Sequence, residues 1–193
     1  MQKQKSKVPP LPSAAFGGEG RGEGLKRDIM PDMLVKLYEL PPLEPIVEAQ
    51  RAKGITIRRA LAPEKHLVLE WITRHFSAYW ASECDVAFGN APVSCFIAIQ
   101  DDCLRGFACY DATCLNFFGP TGVSEAVRRQ GMGEALLLAC LHAMRQVGYG
   151  YAIIGGAGPT GFYEKVAGAQ AIADSSPGIY KGMLRHSGDE PQA

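Results

Sequence analysis

From Ile55 onward, apolar and polar positions alternate between a period of two and a period near 3.6. "ITIRRAL" alternates strictly and predicts a strand. Pro63 stands at the first position of "PEKHLVLEWITRHF", a predicted helix. Its expected buried face carries Leu67, Leu69, Trp71 and Ile72, with Phe76 one turn further. "YWASECDVAFGN" fits a second short helix or a loop. "SCFIAIQD" and "GFACYDAT" read as the two strands of a hairpin joined by "DDCLRG". "NFFGPTGV" is a strand broken by Gly119 and Pro120, which predicts a bulge or an edge. "GMGEALLLACLHAMRQVGYG" is the clearest helix, apolar at 135, 136, 137, 138, 141 and 144, with Gly148 suited to its C-terminal end. "YAIIGGA" predicts a strand and "GPTGFYEKVAG" a helix. "AQAIAD" and "GIYKGML" predict two final strands. The expected order is β–α–α–β–β–β–α–β–α–β–β.

The pattern is absent upstream. "GGEGRGEG" has no apolar period, and the first thirty residues hold six Lys or Arg against three Asp or Glu. Such a segment buries too little to offset its ordering entropy. Residues 1–35 are therefore expected to form a disordered tail, with Met30 or Met33 as alternative starts. Residues 36–54, including "YELPPLEPIVEAQRAKG", predict an arm and a short helix on the surface. The folded domain is expected over 55–186, followed by a disordered 187–193.

Composition narrows the function classes. The 193 residues are 47% hydrophobic, enough for one domain with a full core. The formal net charge is zero and the pI about 6.9, which weighs against nucleic-acid binding. No apolar run reaches membrane-span length, and the basic N-terminus lacks a signal-like apolar stretch. The expectation is a cytoplasmic protein with no nucleic-acid or membrane partner. Its six cysteines form no C-x-x-C pair and its histidines are scattered, so no metal is expected. The cysteines read as reduced apolar residues, and Cys114 is the candidate if one thiol is reactive.

Two glycine-rich stretches follow strands and open helices. Gly156, Gly158 and Gly161 spell a dinucleotide fingerprint. That motif normally begins a βαβαβ unit, with an acidic residue about 20 positions later. Here Asp174 comes only thirteen residues after Gly161, and too little chain remains to build the binding half. The upstream stretch "RRQGMG" places Arg128-x-x-Gly131-x-Gly133 at the start of the strongest helix. Glycines there admit a ligand close to the backbone, and free N–H groups with the helix dipole favour an anion. Arg128 and Arg129 add positive charge. No G-K-[ST] follows, so this is not a P-loop.

The strand end at Val123, Arg128, Gly131, Gly133, the apolar pair Leu136–Leu137, and the later "FYEKVAG" with Tyr163 resemble the Gcn5-related N-acetyltransferase superfamily. The likeness extends from about Ile55 to Leu184. It departs where Glu125 stands at a common proline position and where "VAGA" replaces Leu-Gly-Phe. The resemblance implies an α+β, three-layer acyl-CoA acyltransferase (GNAT) fold. Its mixed, mostly antiparallel sheet is flanked by helices and splayed at the cofactor cleft. It implies acetyl-CoA as cofactor, held by Val123 and by Arg128, Arg129, Gln130, Gly131, Met132 and Gly133. It implies transfer to the amine of a small molecule, with Tyr163 as proton donor to the departing thiolate. Asp111 and Glu83 are the candidate bases, with Asp85 as a further carboxylate. Trp80 with Tyr79, and Asp85, are expected to border the amine. A non-catalytic acyl-CoA-binding module is the alternative, and a homodimer is left open.

Overall fold

A computed structural model describes residues 30–184. Seven strands form one sheet. They are β1 (Met33–Lys36), β2 (Ile55–Arg59), β3 (Cys95–Gln100), β4 (Cys103–Tyr110), β5 (Phe117–Val123), β6 (Tyr151–Ile154) and β7 (Gln170–Ala171). Their order is β2-β3-β4-β5-β6-β1-β7. Every neighbouring pair is antiparallel except β5 and β6, which are parallel. The helices are α1 (Glu44–Arg51), α2 (Lys65–His75), α3 (Ala78–Gly89), α4 (Met132–Gln146) and α5 (Thr160–Ala167).

The period of two sorts side chains between two cores. Cys95 and Ile97 of β3, with Phe107 and Cys109 of β4, pack under α2 and α3 through Val68, Ile72, Cys84 and Ala87. Ala98, Ala108 and Tyr110 point the other way and join the core of α4. The sheet is thus a middle layer between α2–α3 and α4. Helix α4 is buried around most of its circumference, from Leu136 and Leu137 to Cys140, Leu141 and Met144. Apolar residues on nearly every side suit a helix covered by both sheet and chain. Tyr163 and Ala167 of α5 belong to the same core.

Several expectations change. The tail drawn to residue 35 ends earlier, because Met33–Lys36 is a strand lying between β6 and β7. Met33 and Val35 are fully buried. Four alternating residues give too short a period to stand out, and the partner strand lies far along the chain. The rest of the expected tail, residues 1–29, and the expected disordered end, 187–193, lie outside the described residues. The segment 36–54 is more than a surface arm, since Gln50 of α1 is 2% exposed. "YWASECDVAFGN" is helical. In α2 the buried face is set by Val68 and Ile72, and Leu67 is 58% exposed. β5 is no edge, but the ladder with β4 does slip between Ala108 and Tyr110. "GIYKGML" forms a 3-10 turn at Gly178–Tyr180 instead of a strand. Pro177 offers no N–H there, and no neighbouring strand provides a ladder among the described residues.

Met33→Ala tests the status of β1. If Met33 is core, urea denaturation will show a loss of about 2–5 kcal/mol. A tail residue would leave the midpoint unchanged.

Candidate functional site

The parallel strands β5 and β6 are paired only at Phe117–Ile153 and Phe118–Ile154. Beyond those residues they part, while β5 continues along β4 to Val123. Ser124 N donates to Arg105 O at 2.8 Å. Arg105 and Ser124 are therefore the hydrogen-bonded pair, and Gly106–Val123 is the non-bonded pair beside it. By that alternation the N–H and C=O of Val123 turn away from β4 and into the gap. The gap thus has backbone donors and acceptors along one wall.

At the mouth of the gap the chain turns into α4. A 3-10 turn, Glu125–Val127, leads to Arg128, which pairs with Glu125 at 3.3 Å on the surface. Arg129 is left-handed at φ 65° and Gly131 at φ 90°. Two constraints make residue 131 a glycine. Its backbone lies in the left-handed region, and a Cβ there would come within 2.8 Å of Gln50 Nε2. Gln50 Nε2 donates to Gln130 O at 3.1 Å, and Lys53 Nζ donates to the same oxygen at 2.8 Å. Helix α1 thus braces the loop from behind. Gln50 Oε1 is buried without a partner among the described residues. No side chain caps α4, and the first intrahelical donor is Ala135 N, to Gly131 O at 3.1 Å. Met132 is buried and pins the helix start into the core. The first-turn N–H groups are therefore open to an anion, reinforced by the helix dipole. Arg128 to Gly133, with Val123, are brought together as one surface. Its uncapped backbone donors suit an anionic group.

Two buried side chains with proton chemistry lie on opposite faces of the sheet. Tyr163 is 6% exposed, with its ring edge-on to Phe118 at 6.3 Å and to Phe162 at 5.2 Å. Burial pushes its hydroxyl up to about 12, so it stays a proton donor at neutral pH. On the other face, Glu83 of α3 accepts a hydrogen bond from Thr113 Oγ1. Burial raises the Glu83 carboxyl above the usual range, and the Thr113 bond opposes that shift. Tyr180 approaches the same place. Its hydroxyl would stand 2.9 Å from a Cβ on Gly155, directly after β6. Sequence reasoning missed Thr113 and Tyr180. The available signal was a single Tyr within the polar, Gly/Pro-broken "SSPGIY".

The other carboxylates are elsewhere. Asp111 uses both oxygens to hold its own turn, Oδ1 accepting from Asn116 N at 2.7 Å and Oδ2 from Tyr149 Oη at 3.2 Å. It lines a separate cavity of about 450 Å³ with Asn90, Ser94, Tyr110 and Tyr149, at the closed end of the sheet. Both Asp111 oxygens are thus engaged in holding its turn, and its cavity is not the gap between β5 and β6. Asp85 pairs with Lys65 at 2.6 Å and its side chain is 53% exposed. Two residues along a helix rotate by about 200°, so Asp85 faces outward when Glu83 faces in. Trp80 stacks on Phe76 at 5.1 Å, and the Phe76 ring covers Gly122 so closely that a Cβ there would collide with it. Phe76 and Trp80 thus pack together against β5 at Gly122. Tyr79 instead donates to Leu184 O at 3.3 Å.

Cys84, Cys95 and Cys109 gather their Sγ atoms within 4.8 Å, the one such metal-capable group among the described residues. All three are fully buried in the α2–α3 core, away from the gap. Burial pushes the Cys109 thiol well above its ordinary range. Three thiolates in that apolar setting would be costly. Cys114 is exposed, and no helix of the described residues is long and apolar enough to cross a membrane.

A family model described as the acetyltransferase (GNAT) family matches residues 65–169, more than half of the chain. Solved structures agree at the level of fold. A glucosamine N-acetyltransferase region of a fungal multi-domain GH3 beta-N-acetylglucosaminidase aligns with TM-score 0.63 and 14% identity, over 76% of this chain and 20% of that one. A GCN5-related N-acetyltransferase from Sphaerobacter thermophilus aligns with TM-score 0.56 and 18% identity, over 74% and 48%. One from Kribbella flavida aligns with TM-score 0.50 and 15% identity, over 75% and 55%. The chain thus spans from a fifth to just over half the length of these neighbours. A comparison with curated proteins found no match.

The Glu83 environment has a consequence for stability. Its folded pKa is raised, so its contribution is complete below the ordinary carboxylate value of about 4.3. That contribution is lost as pH rises through the higher folded value. Glu83→Gln will flatten this limb of the stability–pH curve in denaturation series run across pH 4–8. An unchanged curve would mean that Glu83 is solvated.

Proposed function

The chain belongs to the acetyltransferase (GNAT) family, and on that premise we propose that it transfers an acetyl group from acetyl-CoA to the amine of a small molecule. The observation that carries this reading is the open gap between β5 and β6, with the uncapped, glycine-shaped start of α4 at its mouth. The backbone N–H groups from Arg129 to Gly133 hold the pyrophosphate of coenzyme A. Arg128 and Arg129 add charge from the rim. Unpaired backbone groups of β5 accept the amide-bearing arm as a further strand would be accepted. Acetyl-CoA, when bound, supplies the acyl group as an activated thioester.

The protein's part is to orient and to move protons. The N–H of Val123, turned into the gap, polarises the acyl carbonyl and steadies the negative charge that develops on its oxygen. An alkyl amine has a pKa near ~10 and reaches the site mostly protonated. Glu83 attracts that cation and takes up the proton the amine must lose. A carboxyl whose pKa is lifted toward neutrality is a better matched base than an exposed one. Tyr163, protonated on the opposite face, donates to the departing thiolate. Phe76 and Trp80 wall the approach to Gly122 and keep water from the carbonyl.

Thiol release from acetyl-CoA with a panel of amines tests the proposal. Glu83→Gln should lower kcat/KM for the best amine by about 10²–10⁴ and leave acetyl-CoA affinity unchanged. Gly131→Ala should do the reverse, weakening acetyl-CoA first. If acetyl-CoA binds and no amine gives release above background, the chain is a non-catalytic acyl-CoA-binding module.

A further inference from the structure

The end of α1 lies against the loop that opens α4, and two side chains converge there on one backbone oxygen. Gln50, in the last turn of α1, donates through Nε2 to Gln130 O at 3.1 Å. Lys53, just past the helix, donates through Nζ to the same oxygen at 2.8 Å. Lys53 is exposed and Gln50 is buried. Gln50 is kept there at a cost. Its Oε1 is buried without a partner among the described residues, which works against folding. Turning the amide over would set Oε1 against Gln130 O and lose the bond. Lys53 already satisfies Gln130 O, so stability alone gives position 50 no reason to be polar.

The two donors settle the direction of a peptide. Gln130–Gly131 is trans, and in a trans peptide the C=O and N–H point opposite ways. With the oxygen held toward α1, the Gly131 N–H is turned away from it. That N–H has no acceptor among the described residues and stands at the head of a helix with no side-chain cap. The direction is not fixed by the local chain. Gly131, at φ 90° and ψ 1°, has the angles of the third residue of a type II turn. With the preceding peptide turned over, the turn becomes type I, and glycine accepts both. The contacts from α1 select one of the two. Accepting two hydrogen bonds, one from an ammonium group, also polarises the peptide and strengthens its N–H as a donor.

We propose that Gln50 and Lys53 are positioning residues for the cofactor, acting through Gln130 O to hold the Gly131 N–H toward the anion at the start of α4. This rests on that loop holding the pyrophosphate of coenzyme A. Gln50 fixes the direction from the core, and Lys53 adds charge from the surface. The segment before β2 is thereby part of the cofactor site.

The test is a double-mutant cycle in the full chain with Gln50→Met and Lys53→Met, read by calorimetric titration with coenzyme A. Each single change should weaken binding by about two- to tenfold, the worth of one hydrogen bond. The Lys53→Met loss should shrink at high salt, and the Gln50→Met loss should not. The double variant should lose more than the product of the two, because each donor alone still holds the carbonyl. The melting temperature of Gln50→Met should stay at the wild-type value or rise, since an unpartnered acceptor leaves the core. In NMR spectra of the wild-type chain the Gly131 amide proton should move downfield as coenzyme A saturates the site, and in the double variant it should not. Wild-type affinity in the double variant would overturn the brace and leave the cofactor reading standing. A loss confined to Lys53→Met would make Lys53 a direct phosphate contact. A Gln50→Met loss matched by a fall in melting temperature would make Gln50 structural. Either result overturns the proposal. A wild-type chain that binds no coenzyme A would overturn the cofactor reading itself, and the proposal with it.

Discussion

β5 and β6 run parallel, pair at two register positions, and then separate. Separation leaves backbone N–H and C=O groups of interior strands without partners, which a fold ordinarily avoids. The arrangement persists because each strand is secured on its other side. β4 holds β5 as far as Val123, and β1 holds all four residues of β6. Helix α4 packs its apolar circumference under this part of the sheet. The open ladder is therefore a feature of rigid walls, able to receive an extended, amide-bearing ligand.

The same constraint explains the distribution of chemistry. The sheet divides the molecule into two cores, and the gap is where both faces meet. Tyr163 lies on the α4 side against Phe118, and Glu83 on the α3 side against Thr113. Each is desolvated by its own layer, and burial shifts both pKa values upward. The effects differ because the groups differ: the tyrosine becomes a more secure donor, the carboxyl a stronger base. Asp111, only two residues before Thr113 on the same turn, is locked by Asn116 and Tyr149 instead. Neighbouring positions on one turn thus carry unrelated roles.

Much of this was legible along the chain. The period-two and period-3.6 segments identified the β3–β4 hairpin, α2, α4 and β6, because each is long enough for its own pattern to repeat. The spacing of Arg128, Gly131 and Gly133 before an apolar helix marked the start of α4, whose first turn carries no side-chain cap. Gly131 has one local reason to be glycine, its left-handed backbone, which leaves a local signature, and one distant reason, Gln50 packed behind it, which does not.

What the chain order could not decide was anything resting on contacts distant in sequence. β1 is four residues that become a strand only because β6 and β7 lie on either side. Tyr180 reads as part of a last strand, and only the folded chain turns it inward to Gly155. Glu83 and Asp85 look alike in "SECD", and the helical rotation against a fixed sheet sends one to Thr113 and the other to Lys65. Periodicity and turn chemistry are properties of neighbours in the chain, so the sequence determined the elements and the loop before α4. Burial, proton affinity and the company a carboxylate keeps belong to neighbours in space, so only the tertiary structure decided which side chains share the site.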